Sequence, residues 1–150
     1  MNNYNIDYMN YLNGIPSNFF PSYDYINNMD SNNELFNSYD GFIRGNMFSN
    51  LFKPYKNYKV GMINPTNEKE ALLYQLMEYN FALIDLGLYL DVNPKDINML
   101  NLFNKYLDVE KQLIDKYEKS YGPLELCSDS ASFNGTWNWD NNPWPWEGDK

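Results

Sequence analysis

The sequence predicts an all-α fold in which two long helices form an antiparallel hairpin. Two stretches of roughly 25 residues contain no proline and carry apolar residues at helical spacing. A short link around Pro94 joins them, and Gly122-Pro123 follows the second stretch. Because a tight link between two helices makes them antiparallel neighbours, these observations favour a hairpin.

The first helix is predicted to begin after Asn64-Pro65 and to end near Asp91. Either Asn64 or Thr66 is expected to cap it, with Glu68 in the favourable first turn. Its apolar residues form two rows, which is more than a surface helix needs, so we expect it to be covered on more than one side. The first row is Leu72, Leu76, Leu83 and Leu90, and the second is Leu73, Met77, Ile84 and Leu88.

The second helix is predicted to begin with Asn93 as its cap, Pro94 in the first turn and Asp96 in the positive field of the N-terminus. Gly122 and Pro123 are expected to end it. Its apolar face is predicted to contain Ile97, Leu100, Phe103, Leu107, Leu113, Ile114, Tyr117 and Tyr121. A two-helix hairpin buries only one face of each helix, so the surplus apolar surface predicts a partner, either a second copy or another helical protein.

The remaining chain divides into three predicted regions. Residues 1–40 are rich in Asn and Tyr and keep no period, which predicts an arm that is disordered or ordered only on a partner. Residues 41–63 hold an interrupted apolar cluster and three lysines, and we expect an adhesive segment without a helix or strand of its own. Residues 64–126 form the hairpin, and residues 127–150 are an extended tail rich in Trp and Pro.

Composition excludes several classes of function. The net charge of −9 argues against nucleic acid or an anionic membrane as the main partner. No apolar run approaches the ~18 residues of a membrane span, and the N-terminus does not resemble a secretory signal. Cys127 is the single cysteine, which fits a reducing cytoplasm and predicts an inert or intermolecular thiol.

Histidine is absent, which removes catalytic triads and His-containing metal sites. We therefore expect neither an enzyme nor a bound metal or cofactor. Glu78, Asp85 and Asp91 recur at about sevenfold spacing, but di-metal bundles pair such carboxylates with histidine. We interpret them as a solvated or partner-facing acidic row. The 14 tyrosines reflect either codon usage or a contact surface open to oxidative cross-linking.

All four tryptophans lie at the end of the chain, at positions 137, 139, 144 and 146. Trp is enriched at binding hot spots, and the neighbouring prolines stiffen the backbone that carries them. Three uses remain open: docking onto a partner, an intramolecular cap on the helices, and stacking on a glycan.

Three motifs resemble the CotJB family of endospore coat proteins: YQLMEYNFALIDLGLYLDVNPKDINMLNLFNKY (74–106), KYEKSYGPL (116–124) and WNWDNNPWPWE (137–147). Residues 44–55, with Arg44-Gly45 and Pro54-Tyr55, are similar to the small CotJA coat protein, although Asn46 and Ser49 depart from its pattern.

The resemblance implies a structural, non-enzymatic component of the inner spore coat, made in the mother cell of a sporulating Firmicute. It also implies assembly with a manganese-catalase-like coat protein, which is a helical-bundle metalloenzyme. We expect the partner-binding residues to be Leu83, Leu90, Tyr121, Trp137, Trp139, Trp144 and Trp146. The alternative is a self-associating structural protein whose hairpins pair into a helical bundle.

Overall fold

A computed structural model describes residues 35–125, Cys127 and Trp137. These residues form three α-helices, which we label α1 (Ser38–Arg44), α2 (Glu68–Val92) and α3 (Ile97–Tyr121). Within these residues the only β-type pairing is one isolated antiparallel bridge between Leu35 and Phe48, and there is no β-strand. The predicted all-α class is therefore confirmed. The predictions for residues 1–34 and for most of the tail lie outside the described residues.

The N-terminus of α2 is capped by Asn67, so the prediction of Asn64 or Thr66 as the cap is wrong. Asn67 has an extended backbone, and its Oδ1 accepts a hydrogen bond from the Glu70 N–H at 2.8 Å. The Glu70 carboxylate reaches back and accepts from the Thr66 N–H at 2.7 Å. Several residues here have capping side chains, and the backbone conformation selects the one directly before the first helical turn.

The N-terminus of α3 is capped by Asp96, so the prediction of Asn93 as its cap is also wrong. Asp96 Oδ1 accepts from the N–H groups of Asn98 and Met99, and Oδ2 accepts from the Tyr89 hydroxyl at 3.0 Å. The Met99 N–H, followed by the Tyr89 hydroxyl, lowers the pKa of Asp96. Asn93 ends α2 instead, because its N–H donates to the Tyr89 carbonyl at 2.9 Å. The predicted end of α3 before Gly122 is confirmed.

The two long helices pack side by side and run in opposite directions. Tyr79 and Tyr106 meet edge to face at 5.3 Å, whereas Gly87, two turns later in α2, lies beside the earlier Phe103 of α3. The buried core between them is apolar and contains Leu72, Leu76, Tyr79, Ala82, Leu83, Leu86, Tyr106, Val109, Leu113 and Tyr117. Most of the first predicted row of α2 is therefore buried, as expected.

The short helix α1 corrects the prediction that residues 41–63 begin without a helix, and it crosses the predicted boundary at residue 40. Asn37 caps it by accepting from the Asp40 N–H at 2.8 Å, and Gly45 ends it in a left-handed conformation with φ of 69°. A helix of seven residues is not stable by propensity alone, so its stability comes from packing on α2. The predicted two-helix arrangement is thus incomplete.

Candidate functional site

Helix geometry divides α2 into three faces, because successive residues are turned by about 100°. Leu76 and Leu83 point toward α3 and are buried. Glu78 and Asp85 lie on another side, where Glu78 contacts Ser38 of α1 and Asp85 contacts Met47 in the loop that follows α1. Ile84 lies on the third face, which neither described helix covers.

A groove runs along this third face between the two long helices. It has a volume of about 410 Å³ and is open to solvent. Gly87 contributes to its depth, because the absence of a side chain there leaves the Phe103 ring accessible beside it. We call it the α2–α3 groove, and its lining residues are Asn80, Leu83, Ile84, Gly87, Leu88 and Asp91 from α2 and Phe103, Leu107 and Glu110 from α3.

The walls of the α2–α3 groove are mainly apolar and exposed. Ile84 is 58% exposed and Leu88 is 61% exposed, although each belongs to the predicted apolar rows of α2. Met77 of α2 and Leu100 of α3 are further exposed apolar residues outside the groove lining. A contiguous apolar patch bordered by polar groups is typical of a protein-interaction surface.

The charged residues that line the groove are both acidic. Asp91 comes from the last turn of α2, and Glu110 comes from the middle of α3. Glu110 also accepts a hydrogen bond from the Asn80 side-chain amide at 3.0 Å, which joins the two helices across the groove. The groove therefore combines apolar walls with a negative rim, which suits an apolar and basic ligand surface.

The predicted partner-binding residues are spread over the molecule. Leu83 lies in the floor of the groove and is buried, whereas Leu90 is half-buried and lies outside the groove lining. Tyr121 is exposed at the far end of α3, with its ring 5.3 Å from that of Tyr117. Trp137 is 54% exposed. Trp139, Trp144 and Trp146 lie outside the described residues, so their role stays a prediction.

Of the residues that line the groove, Leu83 is a predicted partner-binding residue, whereas Ile84 and Leu88 are predicted only as members of an apolar row. Ile84 and Leu88 form part of the second predicted row of α2, which was expected to be covered. Gly87 had no predicted role. The spacing of apolar residues on α2 does indicate this surface, because a helix with two apolar rows has a second apolar face that must be covered by another element or by a partner.

The prediction of a solvated or partner-facing acidic row is wrong for Glu78. This side chain is 1% exposed, and its Oε1 accepts a hydrogen bond from Ser38 Oγ in α1. Burial is the main cause that raises its pKa from 4.5 to about 8, with the nearby Asp40 adding to the rise and the Ser38 bond opposing it. The prediction failed because α1, which covers Glu78, was not foreseen.

The other two members of that row have different surroundings. Asp85 is half-buried, and its Oδ2 accepts a hydrogen bond from the Met47 N–H at 2.7 Å. Asp91 is exposed at the groove. Within residues 35–125, Cys127 and Trp137, no group of three or more His, Cys, Asp or Glu side chains is placed to hold a metal ion. None of the helices in this part of the chain is both long enough and apolar enough to cross a membrane.

Comparison with known proteins identifies the family of the chain. The model of the CotJB protein family matches residues 70–147, slightly more than half of the sequence, including nearly all of α2 and the whole of α3. No curated protein and no solved structure shows significant similarity. The match begins after residues 41–63, so their similarity to CotJA stays a prediction. The chain belongs to the CotJB family of spore coat proteins.

Proposed function

We propose that this spore coat component assembles the coat by binding a manganese-catalase-like coat protein through the hairpin of its two long helices and its Trp-rich tail. The family supports a role in the spore coat. The identity of the partner comes from the resemblance described above. The observation that carries the proposal is the exposed apolar α2–α3 groove.

The shape of the groove suits a helical partner. Two antiparallel helices leave a furrow between them, and a third helix packs into such a furrow by inserting its side-chain ridges. Ile84 and Leu88 stand on one side of the furrow and Leu107 on the other. A helical-bundle protein presents amphipathic helices of the kind that complete this arrangement.

The tail supplies the second part of the proposed contact. Trp144 and Trp146 flank Pro145, so they enter an interface with little further loss of backbone entropy. The exposed ring of Trp137 is consistent with a side chain that is available to a partner. Leu83, Leu90 and Tyr121 complete the set of proposed partner-binding residues.

In this proposal the protein is structural rather than catalytic, and it acts without a cofactor. It is made in the mother-cell cytoplasm and then joins the inner layer of the coat. The partner contributes the metal chemistry, because this chain has no histidine to supply that ligand type.

Co-expression of the full chain with the catalase-like coat protein tests the proposal, with the mass of the purified complex as the readout. We expect a complex of defined stoichiometry with the wild-type chain. The double substitution Ile84→Asp and Leu88→Asp should weaken it at least tenfold, because charges replace exposed apolar contacts. Gln112→Asp adds a charge at an exposed position of α3 outside the groove and is the matched control.

A separate variant tests the tail. Trp144→Ala combined with Trp146→Ala should weaken the complex while the groove is intact. Unchanged affinity would remove these two residues from the interface, and no complex with the wild-type chain would refute the proposed partner.

The alternative function is a self-associating coat protein that forms a homo-oligomeric helical bundle. The same groove favours it, since two copies placed face to face would cover each other's Ile84 and Leu88. Light scattering of the isolated chain separates the two. A stable closed dimer that does not bind the catalase-like protein would favour this alternative.

A further inference from the structure

Residues 53–59, with the sequence KPYKNYK, form an exposed turn between α1 and α2. The Tyr58 N–H donates to the Tyr55 carbonyl at 2.9 Å, and Asn57 adopts a left-handed conformation with φ of 66°. Every residue from 53 to 59 is exposed, and Tyr55 is 88% exposed. We call these residues the basic turn.

The basic turn is positively charged in a chain that is acidic as a whole. It contains Lys53, Lys56 and Lys59, and no Asp or Glu occurs between residues 51 and 63. The complete chain carries a net charge of −9. The turn therefore presents a local charge of +3 together with two tyrosine rings, a combination that suits an apolar surface with an acidic rim.

The basic turn and the α2–α3 groove lie on different faces of α2. Phe52, the residue before the turn, packs against Phe36 and Tyr58, with ring centroids 6.0 Å and 6.5 Å apart. The preceding Phe48 stacks at 5.1 Å on Tyr89, which helix geometry places on the α1 side of α2. These contacts hold the turn on the α1 side, away from the groove of the same chain.

We propose that the basic turn of one chain docks into the α2–α3 groove of a second copy. The rings of Tyr55 and Tyr58 would lie against the apolar walls that Ile84 and Leu88 form. The lysines would approach the carboxylates of Asp91 and Glu110, the charged residues of the groove lining. Charge complementarity and the exposure of both surfaces carry this choice of occupant.

This contact joins two different surfaces, so it is heterologous. Each added copy leaves one turn free at one end and one groove free at the other, and growth continues unless the rotation closes a ring. The proposed homo-oligomeric bundle would instead bury groove against groove and stop at a closed dimer. This self-association uses the same α2–α3 groove that is proposed above for a catalase-like partner, so the two contacts are mutually exclusive at one groove. The self-association is tested with the purified chain alone, without that partner.

Sedimentation velocity of the purified full chain tests the proposal over a wide range of protein concentration. In low salt we expect the average mass to rise continuously with concentration. In high salt, about 0.5 M, we expect at least tenfold weaker association, because the lysine–carboxylate attraction is screened.

Two variants separate the surfaces. The turn variant carries Lys53→Glu, Lys56→Glu and Lys59→Glu, and the groove variant carries Ile84→Asp and Leu88→Asp. All five positions are exposed, and far-ultraviolet circular dichroism verifies that both variants keep their helices. Each variant alone should be monomeric. Mixed together, they should form a one-to-one pair, because the intact groove of the first meets the intact turn of the second, and the pair should not grow further.

Other results would overturn the proposal. A monomeric wild-type chain at all concentrations would do so, as would a turn variant that associates as strongly as the wild type. The four tryptophans all lie between residues 137 and 146, so their fluorescence reports on the tail. The tryptophan emission of the wild type and of the groove variant is compared at low protein concentration. An emission maximum at longer wavelength in the groove variant would show that the tail of the same chain occupies the wild-type groove and that a second copy does not.

Discussion

Ser38 Oγ donates a hydrogen bond to Glu78 Oε1, and this bond links two buried residues that are 40 positions apart in the sequence. It fixes α1 on α2 and gives the buried carboxyl a partner. Among the described residues, every buried side-chain nitrogen or oxygen atom has a hydrogen-bond partner. Beside it, Arg44 pairs with Asp40 and stacks over the Phe36 ring at 4.7 Å. The seven residues of α1 are therefore held by polar contacts as well as by packing.

The buried Glu78 predicts that stability falls as the pH rises. Its pKa is about 8 in the folded chain, above the ordinary value of 4.5 that applies when the chain is unfolded. Between these values the unfolded chain has released the proton that the folded chain keeps. Stability should therefore decline between about pH 4.5 and 8, by at most about 1.4 kcal/mol per pH unit from this group, and level off above that range.

Urea unfolding of the wild type and of Glu78→Gln, measured at intervals from pH 5 to 8.5, checks this. The glutamine variant should lose this part of the pH dependence and should gain stability relative to the wild type as the pH rises. Ser38→Ala removes the one contact that lowers the pKa of Glu78, so the decline should extend to higher pH. Identical slopes for the wild type and Glu78→Gln would contradict the assignment.

The N-cap of α2 can be tested with a pair of asparagines. Asn67→Ala removes the acceptor of the Glu70 N–H and should lower the free energy of unfolding by about 1 kcal/mol. Asn64→Ala changes an exposed residue outside the helix, and the free energy of unfolding should stay within about 0.5 kcal/mol of the wild-type value. Chemical denaturation measures both, and a larger loss at Asn64 would return the cap to one of the two positions predicted from the sequence.

A methyl group at Gly41 should loosen α1. A Cβ there would lie 2.3 Å from Met47 Sδ and 3.3 Å from Met47 Cα, and Met47 is fully buried. We expect Gly41→Ala to cost about 1–3 kcal/mol from overpacking, which outweighs the gain of about 0.5–1 kcal/mol from replacing glycine inside a helix.

Gly61→Ala is the control, since no heavy atom of the described residues, apart from Gly61 and its two chain neighbours, lies within 4 Å of its Cβ position. Thermal unfolding of the two variants gives the comparison. A Gly41→Ala chain as stable as the wild type would show that moving Met47 aside costs no more than the gain of about 0.5–1 kcal/mol from replacing a helical glycine.

Two leucines of α2 separate the core from the groove. Leu86 is fully buried, and Leu86→Ala should lower the free energy of unfolding by about 2–5 kcal/mol through lost burial and the remaining cavity. Leu88→Ala removes the same atoms from an exposed position and should change the free energy of unfolding by about 0.5 kcal/mol or less. Similar losses in denaturant unfolding of the purified chain would show that Leu88 is already covered within the molecule.

The two long helices were predictable from local sequence because their apolar spacing and their breakers are local. The predicted caps of α2, Asn64 or Thr66, lie three residues or one residue before the observed cap Asn67, and the predicted cap of α3, Asn93, lies three residues before Asp96. All five residues carry capping side chains, and only the backbone decides between them. In contrast, α1 depends on contacts with residues about 40 positions away. No pattern within its seven residues shows that Glu78 lies opposite it, or that Asp85 accepts a hydrogen bond from Met47 just after it.

The candidate site was predicted only in outline for the same reason. Two apolar rows on α2 indicated that the helix needs cover on two sides, and the surplus was assigned to a partner. Which side stays open depends on where α1 packs, and that packing turns Glu78 inward and leaves Ile84 outward. The sequence therefore indicated an interaction surface, but its location required the third helix.

The position of α1 also has a consequence for the order of folding. The contacts between α2 and α3 join neighbours across a link of four residues, from Asn93 to Asp96, so they close a small loop and should form early. The docking of α1 on α2 closes a longer loop, and the contact that it forms is smaller than the contact between α2 and α3. The backbone amides of α1 should therefore exchange with solvent through a local opening that leaves the two long helices intact. Hydrogen exchange should then be slow in the two long helices and faster in α1, which contains Ser38. Each time α1 detaches, the Glu78 carboxyl is exposed to water.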